Sequence, residues 1–150
     1  MIRATFDSPL VHTLMKTVYF FLTTLFLGGL LTACTPNMKF TNSTIVPGAS
    51  GEVSVRKDKN NNYTIDVDVL NLAEAQKLTP PKGLYVVWAQ LDNTSAKKLG
   101  QINPTSGLLS KAVKGHLSAV TTDKPTKVFI TAEDNIDVQY PDGPTVLSTN

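Results

Sequence analysis

The chain has 150 residues, a formal net charge of +2 and one cysteine, and 41% of its residues are hydrophobic. This length allows one domain with its own core, and it is too short for a leader followed by two domains. The near-neutral charge, with no basic cluster, argues against nucleic acid as a partner. A single cysteine excludes an internal disulfide, so packing alone must stabilise the fold.

A charge-free apolar run from residue 17 to residue 33 precedes that cysteine. Lys16 supplies a positive start, and the run ends in the sequence Leu31-Thr32-Ala33-Cys34. A positive start, an apolar middle and small residues at the cut are typical of a secretory leader. The last four residues resemble a lipobox, in which the chain is cut before the cysteine and the new N-terminal cysteine is acylated. The pattern predicts a lipoprotein signal peptide over residues 1–33 and lipidation of Cys34.

The first fourteen residues fit a leader poorly because Asp7 and Pro9 interrupt them, so we expect translation to begin at Met15. One alternative is an uncleaved membrane-spanning helix, but the apolar run only reaches the lower limit of about 17–25 residues for a span. Another is an ordinary cleaved signal that leaves a spare thiol. We favour lipidation, because a lone cysteine at this one position is unusual in an exported protein.

Acyl chains on Cys34 would anchor the mature chain in a membrane, and two chains anchor stably where one does not. The lipobox resemblance implies a location in the cell envelope, facing the periplasm. Thr35 follows the cysteine. In enteric bacteria an aspartate at that position tends to retain lipoproteins in the inner membrane, so the outer membrane is favoured if the source is Gram-negative.

Removal of 33 residues from 150 leaves 117, with 12 basic and 11 acidic side chains, which argues against polybasic docking on anionic lipid. Residues 34–50 are polar and rich in turn-forming residues, which predicts a flexible, lipidated tether. The part after Cys34 would reach at most about 53–58 Å when fully extended. The alternative is that residues 44–46 dock as a short edge strand.

Residues 51–150 carry the period-2 alternation of β-strands. Alternating runs at 53–56 and 63–69 flank an Asn-rich turn and predict a hairpin with one buried face. Residues 84–91 are apolar on both faces, which predicts a central strand with Trp88 in the core. Shorter strands are predicted at 98–102, 108–113, 116–120, 127–132 and 145–147, with a break at Lys114-Gly115. Seven or eight short strands with almost no helix predict an all-β, antiparallel, immunoglobulin-like β-sandwich.

Four segments of this domain carry a resemblance to a known family: Pro80-Pro81-Lys82-Gly83-Leu84-Tyr85-Val86-Val87-Trp88-Ala89, Leu99-Gly100, Val128-Phe129-Ile130-Thr131-Ala132-Glu133 and Pro141-Asp142-Gly143-Pro144-Thr145-Val146-Leu147. Together they resemble the extracytoplasmic β-sandwich domain of anti-sigma-K factors over roughly residues 51–148. The resemblance implies a sandwich outside the cytoplasmic membrane. It does not imply sigma-factor binding, because a lipoprotein leader stands where that family has a cytoplasmic binding domain and a membrane helix.

The sequence offers no catalytic or metal-binding constellation. His116 is the one histidine of the mature chain. A zinc site needs three or four suitably spaced ligands, and a serine triad needs a histidine held by a carboxylate beside an activated serine. We therefore predict no enzyme, no metal and no cofactor, and we expect His116 to be half-exposed on a strand.

Two groups of carboxylates need an explanation. Asp66 and Asp68 alternate onto one side of a strand, which predicts a solvated outer face. One loop collects four further carboxylates, at Glu133, Asp134, Asp137 and Asp142. An ordinary polar loop is favoured, and calcium, which takes six to eight oxygen ligands, is the alternative.

These observations predict a membrane-anchored, non-catalytic module that binds another envelope protein through its loops or edge strands. The alternative is a carbohydrate or cell-wall binding module, which needs exposed aromatic side chains. Tyr140, in the acidic loop, is its candidate ligand contact. A third hypothesis, an enzyme, would depend on His116.

Overall fold

The structure, a computed structural model, describes residues 13–19, 37–91, 96–106 and 112–150. The predicted cleavage and lipidation site at Leu31, Thr32, Ala33 and Cys34 lies outside these residues. Residues 13–19 are helical with exposed side chains. None of the helices within the described ranges is long and apolar enough to cross a membrane. The chain divides into two units, Met1–Cys34 and Thr35–Asn150.

The second unit consists almost entirely of strands. Its only helix among the described residues is the single 3-10 turn Ala75–Lys77. The strands are β1 (Met38–Lys39), β2 (Ser50–Lys57), β3 (Tyr63–Leu70), β4 (Leu84–Leu91), β5 (Lys97–Ile102), β6 (Thr105–Ser106), β7 (Val113–Thr121), β8 (Pro125–Glu133) and β9 (Thr145–Ser148).

The strands form two antiparallel sheets, in the orders β1-β2-β3-β7-β6 and β5-β4-β8-β9. The order β2-β3-β7-β6 against β5-β4-β8-β9 matches the A-B-E-D and C′-C-F-G arrangement of immunoglobulin sandwiches. The predicted all-β, immunoglobulin-like sandwich is therefore confirmed. The described residues form nine strands, two more than the lower prediction of seven. β1 and β6 have two described residues each, which is too few to show a period in the sequence.

The hairpin of β2 and β3 shows how the alternation sets the two faces of the first sheet. Its register pairs Val53 with Val67 and Ser54 with Asp66. Because paired residues share a face, the valines point inward, where both are fully buried, and Asp66 points to the outer face. The predicted hairpin with one buried face is confirmed.

The core lies between the two sheets and draws Tyr85, Val87 and Ala89 from β4. Tyr85 keeps its polar end satisfied, because its hydroxyl donates a hydrogen bond of 2.8 Å to the carbonyl oxygen of Ala73. Burial raises the pKa of Tyr85 to about 12. This phenol stays neutral at any physiological pH and acts as a packing residue with one fixed hydrogen bond.

Trp88 is fully buried, but on the face of β4 opposite to Tyr85 and outside the cluster between the sheets. Its cross-strand partners are Lys98 on β5 and Phe129 on β8. The indole Nε1 donates a hydrogen bond of 2.8 Å to Oγ1 of Thr131. The predicted burial of Trp88 is confirmed, and strand alternation places its side chain on the face of β4 that lies away from the other sheet.

The structure differs from the predicted tether over residues 37–49. β1 pairs with β2, and Phe40 forms an antiparallel bridge with Thr149 beyond β9. Val46 and Ala49 are buried in the core. These apolar side chains, few as they are in a polar stretch, dock this segment onto the sandwich, so the folded domain begins before the predicted boundary at residue 51.

The predicted break at Lys114-Gly115 is also absent, because β7 continues through both residues. A Cβ on Gly115 would meet Val69 Cγ2 at 2.8 Å and Ile102 Cγ1 at 3.0 Å. The glycine therefore makes room for core side chains and does not turn the chain. Of the strand predicted at 108–113, only the end falls within the described residues.

We predict that Trp88→Ala lowers the free energy of unfolding by about 3–5 kcal/mol, as large buried truncations do. Denaturant unfolding of the unit Thr35–Asn150 measures this change. Tyr140→Ala, which removes a side chain from a residue that is 68% exposed, serves as the control and should stay within about 0.5 kcal/mol. A loss below about 1 kcal/mol for Trp88→Ala would contradict the buried position.

Candidate functional site

One side of the sandwich is closed by the segment that precedes β2. Phe40 N donates to the carbonyl oxygen of Gly51 at 3.1 Å, and Thr41 N donates to that of Ser148 at 2.8 Å. The same short segment thus bonds to β2 of the first sheet and to β9 of the second. This chain therefore occupies part of each edge, along residues 51–53 of β2 and at the end of β9.

The opposite side of the sandwich carries β7 and β5, and its closure is incomplete. β6 pairs only with Val113 and Lys114 at the start of β7. From His116 to Thr121, the described residues provide no strand beyond β7 on that side. The strand at this position in immunoglobulin sandwiches normally covers its neighbour, and here the described residues of that strand are Thr105 and Ser106 alone. The uncovered part of β7, residues 116–121, is called the β7 edge below.

The direction of the backbone groups along the β7 edge follows from two hydrogen bonds. The carbonyl oxygen of Val113 accepts from Asn71 N at 2.7 Å, on the side of β3. The carbonyl oxygen of Lys114 accepts a hydrogen bond of 3.4 Å from Thr105 Oγ1, on the side of β6. Since successive residues of a strand direct their backbone groups to opposite sides, those of His116, Ser118 and Val120 face the uncovered side.

The β7 edge lacks the features that normally protect a sheet edge. Natural edges are blocked by charged side chains, proline or bulges. Residues 117–121 contain neither charge, proline nor glycine. β5, the neighbouring edge, carries Lys97, Lys98 and Gly100 at φ +154, with a register shift opposite Val87 and Trp88. Of the two edges on this side, β7 is therefore the one open to pairing.

Polar side chains cover the outer face beside the β7 edge. Ser118 Oγ donates a hydrogen bond of 2.7 Å to Asp66 Oδ1, and Arg56 pairs with the other oxygen of the same carboxylate. The hydrogen bond from Ser118 is the largest effect on the pKa of Asp66 and lowers it; burial, the next largest, opposes this, and the Arg56 guanidinium lowers the pKa further, so that it lies below its usual 3.8. The solvated outer face predicted from Asp66 and Asp68 is confirmed.

His116 is exposed on this face, as predicted, and its Nδ1 lies 2.9 Å from Asp68 Oδ1. The single hydroxyl proton of Ser118 is donated to Asp66, so Ser118 is not held by His116 in the way a nucleophilic serine would be. The pair is therefore an ordinary surface contact between an imidazole and a carboxylate.

The acidic loop divides into a buried and an exposed part. Glu133 is 2% exposed and accepts hydrogen bonds from the backbone nitrogens of Asp142, at 3.2 Å, and Gly143, at 2.8 Å. Thr131 Oγ1 donates to the same carboxylate. Groups of three or more potential metal-binding side chains do not occur in the part of the chain that the structure describes. The Glu133 carboxylate thus holds the loop in place by accepting hydrogen bonds from the loop's backbone N–H groups.

Three of the four motif segments behind the family resemblance meet in this cluster. The indole of Trp88 donates a hydrogen bond to the hydroxyl of Thr131, and this hydroxyl donates to the carboxylate of Glu133. The same carboxylate accepts a hydrogen bond from the backbone N–H of Gly143. Lys98 Nζ also donates to the carbonyl oxygens of Ile136 and Val138, which ties the same loop to the face that holds Trp88. The motif residues therefore have a structural role here, and the β7 edge lies outside them.

Tyr140, the candidate ligand contact, is 68% exposed in the loop between β8 and β9. A single exposed ring is compatible with ligand binding, and Tyr85 and Trp88 cannot add to it because both are buried.

Comparison of the chain with family models, with curated proteins and with solved structures finds no match. The resemblance to the anti-sigma-K domain therefore stays a prediction from the quoted motifs. The β7 edge itself was missed in the sequence, because a strand's place at an edge depends on which strands pair with it. The uncharged run 117–121 was the available signal.

We predict that Gly143→Ala destabilises the domain by more than about 2 kcal/mol, because a Cβ there would lie 1.8 Å from the carbonyl oxygen of Ala132. Gly48→Ala is the matched control, since no atom lies within 4 Å of its Cβ position. It should leave stability unchanged or raise it by up to about 1 kcal/mol. Equal effects of the two substitutions in thermal unfolding would contradict the fixed loop.

We also predict a pH effect from Asp66. Its pKa lies below 3.8 when folded, so the unfolded chain binds the proton more readily and stability falls as the pH drops through the folded pKa. Ser118→Ala should move the pKa of Asp66 back towards 3.8. Carboxyl titration by NMR of both proteins measures the shift, and an unchanged pKa in the variant would refute the assigned cause.

Proposed function

We propose that this protein is a lipid-anchored, non-catalytic module of the cell envelope that binds another envelope protein by strand addition at the β7 edge. The observation that carries the proposal is the uncovered and uncharged stretch of β7 from residue 117 to residue 121. Backbone groups of an edge strand pair with any extended segment of suitable register, and the main-chain hydrogen bonds supply the affinity.

Side chains along the β7 edge give the interaction its specificity. Val120 is 61% exposed on the outer face, and Leu117 lies partly buried at the rim of the core. An added strand would place alternate side chains beside these two residues. The partner is therefore an extended, largely uncharged segment with β-branched or aromatic residues at alternate positions.

The anchoring part of the proposal depends on the lipobox sequence at Leu31-Thr32-Ala33-Cys34. Acylation of Cys34 would hold the domain on the membrane, where its partner would be another envelope protein, with no role for nucleic acid. An outer-membrane location is favoured if the source is Gram-negative. The function needs neither cofactor nor enzyme chemistry.

A photo-reactive residue at His116, whose backbone faces the uncovered side, tests the β7 edge in living cells. We expect it to capture one dominant envelope protein, and capture should be lost in Val120→Pro. Proline removes the backbone N–H at 120, and edge strands tolerate proline where that N–H faces solvent. Val120→Thr, which keeps the N–H and the β-branched shape, is the matched control and should retain capture.

Three outcomes separate the hypotheses. Equal capture in Val120→Pro and Val120→Thr would refute strand addition while leaving a partner in place. Capture that survives Cys34→Ala unchanged would refute the need for the anchor. Absence of any partner, together with cell-wall association that is lost in Tyr140→Ala, would favour the alternative of a carbohydrate or cell-wall binding module. The exposed ring of Tyr140 is the observation that favours this alternative.

A further inference from the structure

The folded domain begins very close to the predicted lipidation site. Asn37 Nδ2 donates a hydrogen bond of 3.3 Å to Glu52 Oε2, and the next two residues form β1 against β2. Phe40 and Thr41 then bond to Gly51 and Ser148. From Asn37 onward, the chain is therefore fixed to both sheets of the sandwich.

Only Thr35 and Pro36 separate Cys34 from this fixed segment. Three Cα–Cα steps span at most about 10–11 Å, even when fully extended. The tether expected from the sequence would have reached about 53–58 Å. Docking of residues 37–49 onto the sandwich thus removes most of the length that would lift the domain off a membrane.

We infer that the edge of the sandwich formed by β1, with the neighbouring end of β9, lies directly against the lipid headgroups. This inference rests on the proposed acylation of Cys34, and it names the bilayer surface as the second binding partner of the domain. The acyl chains enter the bilayer, so a connection of about 10 Å holds Asn37 at the level of the headgroups.

The strand order then gives the domain a defined orientation. In the first sheet, β7 lies three strand spacings from β1, and β6 lies four. At about 4.8 Å per spacing, these strands stand roughly 14 and 19 Å from the anchored edge. In the second sheet, β9 adjoins the anchored segment and β5 is the opposite edge. The β7 edge is thereby directed away from the bilayer.

Charge does not oppose this contact. Lys39 on β1 pairs across the strands with Glu52 on β2, so the anchored edge presents one basic and one acidic group side by side. Such a balanced edge is neither drawn to nor repelled by anionic lipid, and the short covalent connection alone holds it there. The orientation should therefore depend on linker length and be insensitive to salt.

Fluorescence quenching tests the orientation, because Cys34 is the only native cysteine and a new one can be labelled selectively. Lys39→Cys on β1 and Ser106→Cys on β6 place the fluorophore at opposite edges, both on exposed residues. The lipidated proteins are reconstituted into phosphatidylcholine vesicles that contain a nitroxide-headgroup lipid. We expect the label at 39 to be quenched at least twofold more strongly than the label at 106, at low and at high salt.

The control lengthens the connection with twelve Gly/Ser residues between Pro36 and Asn37, which adds a coil of about 17–21 Å. In this form the difference between the two labels should disappear. Equal quenching of both labels in the native connection, or stronger quenching at 106, would overturn the orientation. Flotation with the vesicles tests the anchor separately: if the native protein does not float and Cys34→Ala behaves identically, the proposed lipidation itself fails, and the orientation with it.

Discussion

The packing of the two sheets against each other, without a disulfide, is the constraint on which the rest of this domain depends. Immunoglobulin domains of antibodies join the strands equivalent to β3 and β8 by a disulfide. Here Ile65, Val67 and Ile130 on those strands are fully buried apolar residues. Every element that adds to this packing, including the segment before β2, therefore contributes to a stability that no covalent bond supports.

That constraint explains why the two sides of the sandwich differ. On one side Phe40 and Thr41 bond to β2 and β9, and the buried Val46 and Ala49 extend the core behind them. On the other side the described residues of β6 are two, and no other described strand covers the β7 edge. An edge that is left open without charge or proline carries a risk of aggregation, and this risk is the physical basis for the proposal that a partner strand covers β7.

The alternation of the sequence was sufficient to predict the hairpin, the central strand β4 and the sandwich, because side-chain burial on a strand has a period of two. It was insufficient for Trp88, since a strand that is apolar on both faces does not indicate which face meets the other sheet. It also failed at Gly115, where a glycine that admits Val69 and Ile102 resembles a turn residue in the sequence. The position of β7 at a sheet edge could not be predicted from the sequence, because strand pairing depends on contacts between residues that are distant along the chain.

The docked segment before β2 links the two proposals physically. If residues 37–49 formed a free tether, the domain would sample every orientation within the tether's reach, and the position of the anchor would say nothing about the β7 edge. Because Asn37 is already fixed to Glu52, the anchored edge and the β7 edge become opposite edges of one rigid sheet. If Cys34 is acylated as proposed, a periplasmic partner would meet the β7 edge first, and the domain would already be oriented for binding before the partner arrives.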